Sequence, residues 1–316
     1  MQSLTGSARP YTLARAADKT SSTRPDDGGR AVVFPGRDVT LDALDAALRR
    51  APETARAAAQ VLGFDVARKT RVAARSATGS LPAYVEQPAL VAASVASWHA
   101  GGRPCDFVAG HGAGELAALA AAGAISFEDA IELAAVRGEA LSAAARASSG
   151  ATTAVLGLDP DHVATIARRA GVHVAHDDAP GRAVLAGPED ALARAAALVT
   201  SAGGRAVLLG GSGPTNTPAM AAAAVALGTA LERVDVRMPS IPVVSTIAAR
   251  PFESPGDIRT LVAAGVVRTV RFRDAVAWLW SRGVRVVDDA GPGSCAASLA
   301  HITMTSLEDE EVEARA

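Results

Sequence analysis

Apolar positions along the chain fall into two kinds of block. Short continuous runs such as Arg30-Ala31-Val32-Val33-Phe34 read as buried strands. Longer Ala/Leu-rich stretches carry helical spacing. The first strand is predicted at Arg30–Phe34 and ended by Pro35-Gly36. Two helical stretches follow, with Leu44, Leu48, Val61 and Leu62 as core candidates. A helix is then expected to start after Gln87-Pro88 and run through Trp98, since proline suits a first helical turn. Asp106-Phe107-Val108-Ala109 reads as a short strand. It feeds directly into Gly110-His111-Gly112-Ala113-Gly114-Glu115 and then a long Ala/Leu helix. Strand, glycine-rich turn, helix is the context of a nucleophile elbow.

From about Ser149 the pattern changes. Thr153–Leu158 reads as a strand, Asp159 caps a helix reaching Gly171, and Val172–Ala175 and Arg182–Ala186 read as strands. Pro188 opens a helix to about Ala202, and Arg205–Leu209 is a last strand. That order, β-α-β-β-α-β, is ferredoxin-like. Beyond it, strands at Val243–Ile247 and Val284–Val287 flank an amphipathic helix at Phe272–Ser281, and Gly291-Pro292-Gly293 follows. Alternating strands and helices predict an α/β fold with a mostly parallel sheet. The expected architecture is an α/β-hydrolase-like large domain over 30–148 and 210–306, with a ferredoxin-like small subdomain inserted at 149–209. Residues 1–29 read as a disordered leader and 307–316 as a solvated acidic tail.

Composition narrows the function classes. Apolar residues make up 49% of the 316 and aromatics 3%, so the core must be built from Ala, Val, Leu and Ile. A formal charge of −2, from 31 basic and 33 acidic residues, does not predict nucleic-acid binding. No stretch reads as a signal peptide or a membrane span. Two cysteines, Cys105 and Cys295, fit a reducing cytoplasm better than a disulfide framework. Each reads as a small buried apolar residue rather than a nucleophile. His99, His173, His176 and His301 are scattered without metal-ligand spacing, so no metal is expected. Asp177-Asp178 reads as turn chemistry. Asp288-Asp289, at a strand end, reads as solvated, and Arg268, Arg271, Arg273, Arg282 and Arg285 as a charged helix face.

Six landmarks occur in one order: Val33-Phe34-Pro35-Gly36, Gln87-Pro88-Ala89-Leu90, Gly110 to Glu115, Arg137-Gly138, Val270-Arg271-Phe272 and Gly291-Pro292-Gly293. Together they resemble the acyltransferases that load malonyl-type units from coenzyme A onto acyl carrier proteins in fatty-acid and polyketide synthesis. The resemblance covers the chain from Val32 to Leu299. It implies a thioester-attacking serine at the position of Gly112 and a general-base histidine at that of Asn216. It implies glutamines at those of Arg37, in the opening loop, and Gly265. Arg137 matches the arginine that pairs with the malonyl carboxylate, and His111 stands beside the lost nucleophile. The segment Gly213 to Asn216, where the family selects its acyl unit, matches neither the malonyl nor the methylmalonyl wording.

Losing nucleophile or base in a serine protease lowers turnover about 10⁶-fold. Here both positions differ, with the glutamine positions as well. The resemblance therefore implies a pseudo-acyltransferase, inactive by the acyl-serine mechanism. Its expected partners are an acyl carrier protein or a ketosynthase, and no nucleic acid or membrane. No cofactor is expected, although an acyl-coenzyme A or phosphopantetheine thioester could be a ligand held near His111, Arg137, Ala113, Arg37 and Asn216. The rival is an enzyme of altered mechanism in the vacated cleft, performing non-covalent acyl transfer, hydrolysis or cyclisation.

Overall fold

Two five-stranded sheets, each with its own apolar core, organise the chain. The structure is a computed structural model and describes residues 28–314 except 38, 78, 103 and 210–212. The predicted leader therefore lies outside the described residues up to 27, and Gly29 already belongs to the first strand.

Strand β1 (Gly29–Phe34) is buried over its last four residues. Three helices follow it, α1 (Leu41–Arg50), α2 (Pro52–Leu62) and α3 (Val66–Ala74), where the sequence pattern suggests two stretches. Thr40 and Asp65 cap α1 and α3 by accepting from Ala43 and Arg68 N–H, and Gly63 ends α2 in the left-handed region, so each break has a local cause. Helix α4 (Ala83–Gly101) starts before Gln87-Pro88 rather than after it. Pro88 sits inside the helix and only forgoes the bond to the carbonyl four residues back. Tight packing offsets that loss: Val85 and Ala89 to Ala93 are buried against the core.

Strand β2 (Phe107–Gly110) runs into α5 (Gly114–Ala121), which is short. The long helix expected there is two helices, because Gly123 at φ 74 breaks the run and Ser126 caps α6 (Phe127–Arg146).

The middle of the chain forms β3 (Gly150–Leu156), α7 (Pro160–Ala170), β4 (His173–Ala179), β5 (Arg182–Pro188), α8 (Glu189–Ser201) and β6 (Arg205–Leu209). Strands β6, β3, β5 and β4 lie antiparallel in that order, the ferredoxin-like arrangement.

The chain then returns through α9 (Ala221–Leu231), β7 (Val243–Ser245), β8 (Arg250–Pro251), α10 (Pro255–Ala264), β9 (Val270–Arg271), α11 (Phe272–Ser281), β10 (Val284–Asp289) and α12 (Cys295–Glu313). The large sheet has the order β10-β1-β2-β7-β8, parallel except for β8. Strand β9 joins the small sheet instead, pairing parallel with β4. A segment late in the chain thus supplies the second sheet's fifth strand.

Residues Leu307 to Glu313, expected as a tail, are the last turns of α12, and Trp280 Nε1 donates to Glu311 at 2.7 Å. The acidic run winds around the C-terminal turns of a helix whose buried side chains, Thr303 and Met304 among them, lie a turn earlier. Among the described residues no helix is long and apolar enough to cross a membrane.

Candidate active site

The glycine-rich turn between β2 and α5 is built by close approach. A Cβ on Gly36 would lie 1.7 Å from the His111 carbonyl oxygen, one on Gly110 2.2 Å from Glu115 N, and one on Gly114 2.2 Å from Phe34 O. These glycines let β1, the turn and α5 touch backbone to backbone. His111 N–H donates to Phe34 O at 2.9 Å, and Gly114 N–H to His111 O at 2.9 Å. Gly112 differs from its neighbours. Its φ is +55, the strained apex expected of a nucleophile elbow, yet a Cβ there meets nothing within 4 Å. Ala113 is the N-cap of α5 with its methyl buried, so this position can offer a ligand only its backbone.

On one side of the apex the fold assembles four side chains from three places. Asp178 of β4 is fully buried, and its Oδ1 accepts from His111 Nε2 at 2.7 Å while its Oδ2 accepts from Arg37 Nη2 at 3.1 Å. His176, two residues earlier on the same strand face, stacks on His111 with ring centroids 5.1 Å apart and 14° between planes. Phe272 closes the group, its ring centroid 5.3 Å from that of His111. Burial opposes ionisation of Asp178, but the surrounding groups, the His111 hydrogen bond foremost and the Arg37 guanidinium with it, overcome it and hold the carboxyl below the usual carboxylate range. Burial pushes His176 well below an ordinary imidazole, so it is neutral. Its Nδ1 has no hydrogen-bond partner.

Asp177-Asp178 is therefore not turn chemistry. Both lie within β4, Asp178 on the elbow cluster and Asp177 on Arg273, whose Nη2 donates to it at 2.7 Å. Strand β4 runs to Ala179 rather than stopping at Ala175, because β5 pairs along it as far as Ala179↔Arg182 and β9 flanks His176 and Asp177. His176 and Asp178, missed as site residues, carry a signal in hindsight: polar residues two apart in a strand share a face.

Gly112, Glu115, Arg137 and Gly265 also line a cavity of about 10 Å³ with Leu116, Thr246, Ile247, Val262 and Val270. That is room for about one water. Arg137, part-buried on α6, donates to Gln87 Oε1 at 2.8 Å. Burial draws its guanidinium down to about 10, with Glu115 opposing the shift, so it stays charged at neutral pH. Gly265 ends α10. Asn216 is buried with φ 58, and its Nδ2 donates to Gly265 O at 2.7 Å and Arg268 O at 3.0 Å. The structure thus brings Gly112, Arg137 and Gly265 to one cavity, Asn216 against its Gly265 edge, and Arg37 and His111 together on Asp178.

Glu115 is the other titratable group here. Burial pushes its carboxyl up to about 7, although Ser245 and Thr246 N–H donate to it and Arg137 lies near. A raised carboxyl favours the folded state only while protonated. Stability from this group is full below its unfolded value near 4.5 and is lost as pH rises through about 7. Urea unfolding across that window should show a decline that Glu115→Gln flattens, on the order of a few kcal/mol. Equal slopes for both proteins would refute the assignment.

Cys105 does not replace the apex nucleophile. Cys105 precedes β2 at the end opposite the elbow, and burial, with Asp106 adding to it, pushes its thiol up to about 12, leaving essentially no thiolate. Cys295 heads α12. Asp288 pairs with Arg30, and Asp289 accepts from Gly291 and Ala297 N–H at 2.8 and 3.1 Å, so both are partnered while remaining partly exposed. Of the basic residues in the late segment, Arg271 pairs with Asp274, Arg273 with Asp177, and Arg282 and Arg285 lie over Trp278 and Trp280.

The profile of the acyl transferase domain matches residues 43–315. A malonyl CoA-acyl carrier protein transacylase of Haemophilus influenzae is 32% identical over 277 residues, 83% of this chain and 88% of that protein. The polyketide biosynthesis protein ThaF of Burkholderia thailandensis is 33% identical over 84% of this chain, which spans 23% of ThaF. Among solved structures, the Coxiella burnetii malonyl CoA-acyl carrier protein transacylase superposes with TM-score 0.80 at 27% identity, covering 87% of this chain and 90% of that one. A type II polyketide-synthase malonyl-transacylase solved in complex with its acyl carrier protein gives TM-score 0.79 at 29% identity, covering 88% and 93%. The chain belongs to the acyl transferase domain family and is a homologue of the malonyl-CoA:acyl carrier protein transacylases.

Proposed function

We propose that this protein is a non-catalytic acyltransferase homologue that binds an acyl carrier protein of fatty-acid or polyketide assembly without forming an acyl-serine. One observation carries the reading. The apex of an otherwise intact elbow is Gly112, with open space where a nucleophile's side chain would stand. Covalent acyl transfer needs an activated nucleophile and a base. Asn216, at the position the resemblance gives to the base, spends its amide on two backbone carbonyls and cannot accept a proton at ordinary pH. Arg37, at the position of an oxyanion-hole glutamine, is held by Asp178. Meanwhile the glycine contacts that shape the elbow persist.

The relative solved with its carrier protein supports that partner class. Titrating phosphopantetheinylated carrier protein into this protein, followed by calorimetry, should give saturable one-to-one binding. Absence of binding to every carrier protein of the source organism would sink the reading.

A second reading, hydrolysis or a non-covalent acyl or cyclisation step on a thioester, draws on the buried His111–Asp178 pair beside the apex. It requires release of free coenzyme A thiol from malonyl-coenzyme A at a rate that His111→Ala abolishes.

A further inference from the structure

The cluster beside the elbow holds a three-residue donor set, which neither reading above uses as a metal site and whose third member, His176, has no part in either. His111, His176 and Asp178 each place one donor atom within 4.8 Å of the others, and all three are buried. From Asp178 Oδ1 the distances are 2.7 Å to His111 Nε2 and 3.7 Å to His176 Nδ1. Ligands on a tetrahedral zinc ion, with bonds of about 2.0–2.1 Å, stand roughly 3.3 Å apart. One separation must therefore open and the other close by about half an ångström.

We infer that His111, His176 and Asp178 form a binding site for a divalent transition-metal ion, zinc foremost. Two imidazoles and a carboxylate suit zinc, and suit calcium or magnesium poorly, since those ions take oxygen ligands. A second observation points the same way. The His176 side chain is 8% exposed, and its Nδ1 has no hydrogen-bond partner. A buried polar atom left so costs free energy unless something binds it. Coordination requires the His176 ring to turn out of its stack on His111, and no hydrogen bond at Nδ1 resists that turn. The carboxylate is already oriented: Arg37 holds Asp178 Oδ2 at 3.1 Å, leaving Oδ1 to the two imidazoles. Ligating carboxylates are ordinarily fixed in this way by an outer partner. Three protein ligands leave one coordination position for water or for an anionic ligand, the arrangement of open rather than purely structural zinc sites.

The inference does not depend on carrier-protein binding and is tested apart from it. Tag-free full-length protein, stripped with chelator, is titrated with zinc by calorimetry and with cobalt by visible absorption. One ion per chain is expected, with the intense cobalt bands of a four-coordinate nitrogen–oxygen site. His176→Phe keeps a ring against His111 and loses no hydrogen bond at Nδ1, so it should melt at or above the metal-free wild type. It should bind zinc about 100-fold more weakly or worse, as loss of a ligand must exceed loss of an outer partner. His176→Leu repeats the test with a smaller apolar side chain. His162→Ala removes an exposed histidine paired with Asp159, the obvious surface alternative, and should leave affinity unchanged. Absence of stoichiometric binding, wild-type affinity in both folded His176 variants, or loss of binding in His162→Ala would each overturn the site.

Discussion

Gly36→Ala should destabilise the protein by roughly 3 kcal/mol or more, enough to leave much of it unfolded in the cell. The added methyl would sit 1.7 Å from the His111 carbonyl oxygen and 2.9 Å from Ala113 N. Both are backbone atoms of the elbow, so no side chain can rotate away. Relief requires parting β1 from the turn, which breaks the His111 N–H to Phe34 O bond. Gly112→Ala is the internal comparison. Its Cβ meets nothing within 4 Å, so only the left-handed φ of +55 opposes it, at about 1–2 kcal/mol. Chemical denaturation of the two variants should rank them in that order. A Gly36→Ala protein as stable as wild type would mean that the elbow is not packed as described. A Gly112→Ala protein that fails to fold would mean that the apex is not open.

Asn216→Ala should cost about 3 kcal/mol. The side chain is buried, donates to the carbonyls of Gly265 and Arg268, and lets the backbone hold φ 58, which asparagine tolerates better than alanine. The substitution strips one donor from two carbonyls and adds strain. Asn216→Asp should be worse still, because it turns a carboxylate toward those same carbonyls. This ranking distinguishes a structural role from a relict catalytic one: a residue left over from lost chemistry would tolerate all three side chains alike. Equal urea midpoints for Asn, Ala and Asp at this position would contradict the assignment.

Most strands of both sheets and the elbow were legible because short apolar runs bounded by glycine and proline have few alternatives in an α/β chain; the two-residue strands β8 and β9 and the polar second half of β4 carry no such run. The ferredoxin-like order was legible for the same reason, with Asp159 marking a helix start by its capping chemistry. Helix boundaries were less so. Pro88 looks like a first-turn proline, and only packing against the core explains why α4 continues through it. The break after α5 hinges on Gly123, one glycine in an alanine run. At the site, Gly112, Arg137 and Gly265 could be named from motif order, and the fold gathers them around one small cavity. Asp178 and His176 could not. Their significance arises from an insertion folding back over the elbow, a contact separated by 67 residues from His111 to Asp178 that no local pattern encodes. The acidic run at the end of the chain misled for a simpler reason: charge density alone does not separate a tail from the solvated end of a helix, and here α12 continues through it.

The central claim is that the acyltransferase scaffold survives here without acyl-serine chemistry. Incubation of the folded protein with malonyl-coenzyme A followed by intact-protein mass measurement tests it most directly. An unchanged mass is expected at any incubation time. A stoichiometric malonyl adduct on the native protein, absent after prior unfolding, would contradict it and would identify a nucleophile other than residue 112.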